Sequence, residues 1–143
     1  MRNKLSENIK QLMIETETDT QKLATYLGVT VQSVNRWKSG SVADMGLSTL
    51  IKLCEYFGCS VDYIVGKTER DIKPSNFMLE NFGKQIRKVM QLKNISTYIM
   101  RKQTHFTSRN FHDWDKGADP KLSTLIELAN YFRCSLDELV GLE

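Results

Sequence analysis

Proline and cysteine are scarce in this sequence, which has two prolines and three cysteines in 143 residues. Because few prolines interrupt the chain and apolar residues recur at helical spacing, the sequence predicts an all-α fold. Cys54, Cys59 and Cys134 are odd in number and lack the spacing of a metal site. We therefore expect small, buried cysteine side chains in a reducing cytoplasm, and neither a disulfide framework nor a bound metal.

Long apolar runs are missing as well. No run of about 18 apolar residues is present, which argues against a membrane-spanning helix. The first ten residues, MRNKLSENIK, are polar and lack the apolar core of a signal peptide. The sequence also contains no glycine-rich phosphate loop, nucleophile elbow or metalloprotease motif. We expect no membrane association, no cofactor and no catalytic site, so the sequence predicts a protein that is not an enzyme.

Charge of one sign is not in large excess. The 20 basic and 17 acidic residues give a net charge of +3, which is too small for a histone-like binder and favours positive charge placed locally. His105 and His112 have no metal-ligand spacing with any cysteine. Asp113 and Asp115 lie two residues apart on a predicted helix and point to different faces, so we interpret them as a charged surface rather than a catalytic pair.

The most informative stretch is DTQKLATYLGVTVQSVNRWKSG, residues 19–40. Apolar residues share one face of a short helix that Gly28 ends, and Thr30 can cap a second helix whose apolar residues point back at the first. Two short helices that meet at a glycine turn form a helix-turn-helix, and its outer face enters a DNA major groove. The apolar positions are Leu23, Ala24, Leu27, Val34 and Trp37.

This stretch resembles the Cro/phage-repressor (XRE-type) helix-turn-helix family. The family pattern is L-A-x-x-x-G-V-[ST]-x-x-x-V-x-x-W, and every element is present from Leu23 to Trp37. The resemblance implies a lambda-repressor-like domain of five helices that binds double-stranded DNA with its third helix. It also implies that Ala24 is small because two helices nearly touch there, and that Gly28 adopts a positive φ. An ordinary helical hairpin is the alternative.

Helix geometry and the resemblance together assign contacts to the outer face of the third helix. Gln32 is expected to pair with adenine and Arg36 with guanine, and Val31 to contact a thymine methyl group. Hydroxyl side chains at the starts of the two helices suit phosphate oxygens, and a lysine adds charge nearby. The predicted DNA-binding residues are Thr20, Gln21, Thr30, Val31, Gln32, Ser33, Asn35, Arg36 and Lys38.

The second half of the chain repeats the first. Residues 43–66 align with residues 118–141, and 15 of these 24 positions are identical. Apolar spacing predicts five helices in each copy, and in the first copy the outer ones begin near Lys4 and Val61. Trp114 stands at the position of Trp37 and is expected to be a core residue. The first copy carries two extra residues near position 41. The sequence predicts a domain at 1–66, a charged linker at 67–76, and a second domain at 77–143.

The second copy departs from the first at four positions of this stretch. Arg101 and His105 occupy the positions of Ala24 and Gly28, and Asp113 and Asp115 occupy those of Arg36 and Lys38. A buried alanine cannot be replaced by arginine without repacking, because the guanidinium must either lose its hydration or extend to the surface. Histidine can adopt a positive φ, but less readily than glycine. Carboxylates at this helix oppose phosphate.

Two interpretations of the second copy stay open at this point. It is either a weaker, altered DNA-binding domain or a copy whose outer face serves dimerisation or a protein partner. In the first case, the helix geometry allows four DNA contacts. These candidate residues are Thr107, Ser108, Arg109 and Asn110.

The sequence thus predicts a cytoplasmic, sequence-specific DNA-binding transcription regulator. The resemblance implies a repressor of the phage or mobile-element type that blocks polymerase at a promoter. Because only one copy keeps the full pattern, we expect a homodimer on a palindromic site. The alternative is a bifunctional binding module, similar to an antitoxin or anti-defence protein. Its first domain binds DNA for autoregulation and its second binds a protein.

Overall fold

The computed structural model describes residues 4–40 and 44–142. The chain divides into two compact units, Met1–Pro74 and Ser75–Glu143. Within the described residues each unit contains five helices and no β-strand, which confirms the predicted all-α fold. The two extra residues predicted near position 41 lie outside the described residues. No helix in the described part is long and apolar enough to cross a membrane.

Capping residues fix the ends of the helices in the first unit, and the outer helices begin at Lys4 and Val61, as predicted. Asp19 Oδ1 accepts a hydrogen bond from the Lys22 backbone N–H at 2.7 Å. Thr30 Oγ1 accepts one from Ser33 N–H at 3.1 Å. The helices are α1 (Lys4–Glu15), α2 (Thr20–Leu27), α3 (Val31–Ser39), α4 (Leu47–Phe57) and α5 (Val61–Val65).

The core of the first unit lies beneath the turn between α2 and α3. Ala24 is only 2% exposed, and Gly28 has φ +70°, as the resemblance implied. Val34 and Trp37 are buried on the inner face of α3, and the Trp37 carbonyl accepts a hydrogen bond from Ser6 Oγ on α1. Because this inner face is buried, the opposite face of α3 is exposed to solvent.

The second unit has the same order of helices. They are α6 (Phe82–Leu92), α7 (Thr97–Gln103), α8 (Ser108–Asp115), α9 (Leu122–Phe132) and α10 (Leu136–Val140). Both units join the first helix to the fifth in the same way. Asn8 Nδ2 donates to the Tyr63 carbonyl at 3.1 Å, and Gln85 Nε2 donates to the Glu138 carbonyl at 3.4 Å. A side-chain amide therefore satisfies carbonyls at the end of the fifth helix in each copy.

The turn after α7 differs from the glycine turn after α2. The sequence allowed His105 a positive φ, but His105 does not adopt one, and Thr104 is extended with φ −131°. The reason is a side-chain closure of the helix end. Thr104 Oγ1 donates to the Met100 carbonyl at 2.7 Å and accepts from Phe106 N–H at 3.2 Å. Arg101 is exposed, which is one of the two outcomes that the sequence left open.

The segment predicted as a linker has no helix, but its first part lies on the first unit. Lys67 N–H donates to the Asp62 carbonyl at 2.8 Å, and Asp71 Oδ1 accepts from Ser60 N–H at 3.0 Å. The part of the predicted ten-residue linker that makes no such contact is therefore shorter than ten residues. The cysteines partly follow the prediction, since Cys54 and Cys59 are buried and Cys134 is half-buried.

Candidate nucleic-acid interface

The outer face of α3 carries the three long polar side chains of the predicted contact set. Gln32, Asn35 and Arg36 are exposed, on the side of the helix opposite Trp37. In the part of the chain that the structure describes, these three side chains have no hydrogen-bond or ion-pair partner. An exposed amide or guanidinium that has no partner within the protein can form two hydrogen bonds with the edge of one base.

The candidate phosphate contacts lie around the ends of α2 and α3. Lys38 Nζ donates to Thr20 Oγ1 at 3.2 Å, which brings an ammonium and a hydroxyl group together. Thr30 Oγ1 lies 3.0 Å from Ser33 Oγ at the start of α3. Gln21 lies at the start of α2, where its amide donates a hydrogen bond to Thr25 Oγ1 at 3.2 Å. Val31, the first residue of α3, is half-buried.

The equivalent face of the second unit is occupied by its own ion pair. Arg109 Nε lies 3.1 Å from Asp113 Oδ1, one turn along α8. Asn110 Oδ1 accepts a hydrogen bond from Thr107 N–H at 2.8 Å and so closes a capping box. Of the four candidate contacts, only Ser108 presents an exposed side chain that no hydrogen bond in the described part engages.

A second ion pair joins α6 to α8. The two guanidinium nitrogens of Arg87 contact both carboxylate oxygens of Asp115, with Nη2 to Oδ2 at 2.9 Å. These hydrogen bonds lower the pKa of Asp115, so its carboxyl stays ionised. The sequence reasoning missed Arg87. The available signal was the repeat itself, because Lys10 and Lys38 in the first copy become Arg87 and Asp115 in the second.

The two recognition helices therefore differ in charge as well as in contacts. α3 contains Arg36 and Lys38 and no carboxylate, whereas α8 contains Arg109 with two carboxylates. His105 contacts the Glu127 carboxylate. In the residues described, no three metal-ligating side chains lie together.

The fold and the outer face of α3 define a helix-turn-helix DNA-binding protein and transcription regulator. A family model of the Cro/C1-type helix-turn-helix DNA-binding domain matches the chain twice, at residues 8–65 and 85–143. Since the two matches cover most of the chain, it belongs to the Cro/C1-type helix-turn-helix family and carries two tandem copies of the domain. No curated protein and no solved structure matches the chain significantly.

Proposed function

We propose that the chain is a sequence-specific repressor of the phage or mobile-element type, which reads the major groove with α3 in the cytoplasm. The observation that supports this proposal is the state of Gln32, Asn35 and Arg36. They are exposed and unpaired in the described part of the chain. They also stand on a helix whose start is capped and whose inner face is buried. Binding over a promoter blocks polymerase.

Arg36→Ala is expected to weaken binding to the selected DNA site by about 1–3 kcal/mol and to relax the preference at one base pair. The fold should not change, since the side chain is exposed. The measurement is selection of bound sequences from random DNA with the full chain, followed by affinities for the enriched site.

The matched control for this change is Arg109→Ala, which removes the same side chain from the second recognition helix. Because Arg109 is paired with Asp113, the base preference should stay as in the unaltered chain. Wild-type affinity in an Arg36→Ala, Gln32→Ala double variant would contradict the assigned reading face.

On this proposal each chain has one helix, α3, whose side chains are available for base contacts. A contact with a second half-site must then come from another copy of the chain or from the second domain. Closed two-fold pairing is the commonest source of such a contact. We expect light scattering at micromolar concentration to give twice the mass of one chain, on a palindromic site. A single-chain mass both with and without DNA would end the dimer proposal and leave the tandem copies to contact DNA together.

A bifunctional module, whose second domain binds a protein, is the second candidate function. It is favoured by Tyr98 and Ile99 on α7, which are 58% and 39% exposed. They stand at the positions of Gln21 and Lys22 in the first copy. Exposed apolar side chains suit a protein partner better than a phosphate backbone.

A further inference from the structure

An open cleft of about 310 Å³ lies between α7 and α8 of the second unit, with α6 behind it. Thr97 and Ser108, which carry hydroxyl groups, line it together with Arg101 and His112. The Arg87–Asp115 ion pair lies in the same cleft, with the Arg87 guanidinium 5.9 Å from the centre of the Phe111 ring.

The cleft arises where the second copy departs from the first. In the first unit, Ala24 stands at the corresponding place, is 2% exposed and lets α2 lie close against α3. Arginine at this position is too large to be buried there, and α7 keeps Met100 as its buried side chain. The exposed Arg101 therefore lines an open space and is not buried in a helix contact.

The groups in the cleft suit an anion. Arg87 is neutralised by Asp115, whereas the side chains of Arg101 and His112 make no hydrogen bond within the described residues. His112 lies near the Asp115 carboxyl and helps to lower its pKa. The donors that make no hydrogen bond are thus a guanidinium, an imidazole and two hydroxyl groups, and the site has a formal net charge of +1 with a neutral imidazole. Arginine with hydroxyl donors is a favourable arrangement for phosphate oxygens, because the fixed guanidinium fork matches their geometry.

We propose that this cleft binds a phosphodiester group of the DNA backbone, so that the second domain adds affinity without reading sequence. The inference rests on the proposed DNA-binding function. Thr97 and Ser108 hold the positions of Thr20 and Val31, so the cleft opens on the face that corresponds to the DNA-binding face of the first unit. A cleft open to solvent also admits a backbone that passes across it.

The test compares Arg101→Ala with Lys102→Ala in the full chain. Alanine is the residue that the first domain has at this position, so the Arg101 variant should fold, which circular dichroism checks. Lys102 is the neighbouring cation on α7, but its ammonium lies 5.0 Å from the Tyr98 ring and not in the cleft. Affinities are measured for the selected site and for an unrelated duplex at 50–200 mM salt.

Arg101→Ala should weaken binding to both duplexes by the same factor. Losing one phosphate contact lowers the slope of log affinity against log salt by about 0.9. Over a fourfold rise in salt, the variant should therefore lose about 3.5-fold less affinity than the unaltered chain. Lys102→Ala should keep most of the wild-type slope.

Three other outcomes would overturn the proposal, and each would indicate a different role for the cleft or for Arg101. Wild-type affinity and slope in Arg101→Ala, with binding still lost in Arg36→Ala, would remove the cleft but leave the proposed function. Weaker binding to the selected site alone would make Arg101 a base contact. Arg101-dependent thermal stabilisation by inorganic phosphate, with unchanged DNA binding, would assign the cleft to a free anion. Failure of the whole chain to bind any duplex would instead refute the proposed function.

Discussion

Trp114→Ala is expected to unfold the second domain while the first domain stays folded. Trp114 is 5% exposed, and its ring packs against three aromatic rings. Truncation of a large buried aromatic costs about 3–5 kcal/mol. A domain of this size has a total stability of roughly 4–10 kcal/mol. The rings are those of Phe82, Phe106 and Phe111, with centroids 5.2, 5.7 and 5.3 Å away.

Two-dimensional NMR on the full chain checks this expectation, because each domain has its own set of amide signals. In Trp114→Ala the signals of residues 82–142 should collapse to unfolded positions, and those of the first domain should persist. Trp37→Ala should give the reverse pattern, and Trp114→Phe should keep both sets. Loss of every signal with either alanine variant would show that the two copies fold as one cooperative unit.

Local sequence predicted the helices well, because local interactions set their ends. The N-cap of α3 is a bond between Thr30 and Ser33, three residues apart, and α4 and α5 follow from apolar spacing with Gly58 and Ser60 beside them. The family pattern also predicted which face of α3 is exposed, since burial of Val34 and Trp37 leaves Gln32 and Arg36 at the surface. The contacts of these side chains with DNA stay a prediction.

The second copy was harder to predict because its changes compensate across distance. Arg87 and Asp115 are 28 residues apart, so neither residue alone indicates a pair. The sequence shows a carboxylate where phosphate contact is expected, but not that an arginine neutralises it. The Arg109–Asp113 pair is local, and its four-residue spacing was a usable signal.

Residue identity also proved a poor guide to the turns. Arg133 has φ +55° at the position of Gly58, so the second copy keeps that left-handed turn without glycine. At the position of Gly28 it abandons the left-handed turn instead, because Thr104 closes the helix end with its hydroxyl group. Tolerance of histidine for positive φ was therefore not what decided the conformation of His105.

Met100→Ala is expected to release α7 from the second domain. Met100 is the buried residue of α7, whereas α2 is held by Leu23, Ala24 and Leu27. Truncation of a buried methionine costs about 2–5 kcal/mol. A seven-residue helix cannot persist without tertiary contacts, since short isolated helices are marginal in water.

Hydrogen exchange measured by mass spectrometry tests this expectation, with Leu23→Ala as the matched control at the equivalent position of the first domain. In Met100→Ala the amides of α7 should exchange at nearly unprotected rates, while α6 and α9 keep much of their protection. In Leu23→Ala, protection of α2 should fall less, because Leu27 still anchors the helix end. Equal loss of protection in α2 and α7 would show that one buried side chain does not decide whether these helices stay attached. Unchanged exchange of α7 would show that the Thr104 closure, rather than Met100, holds that helix in place.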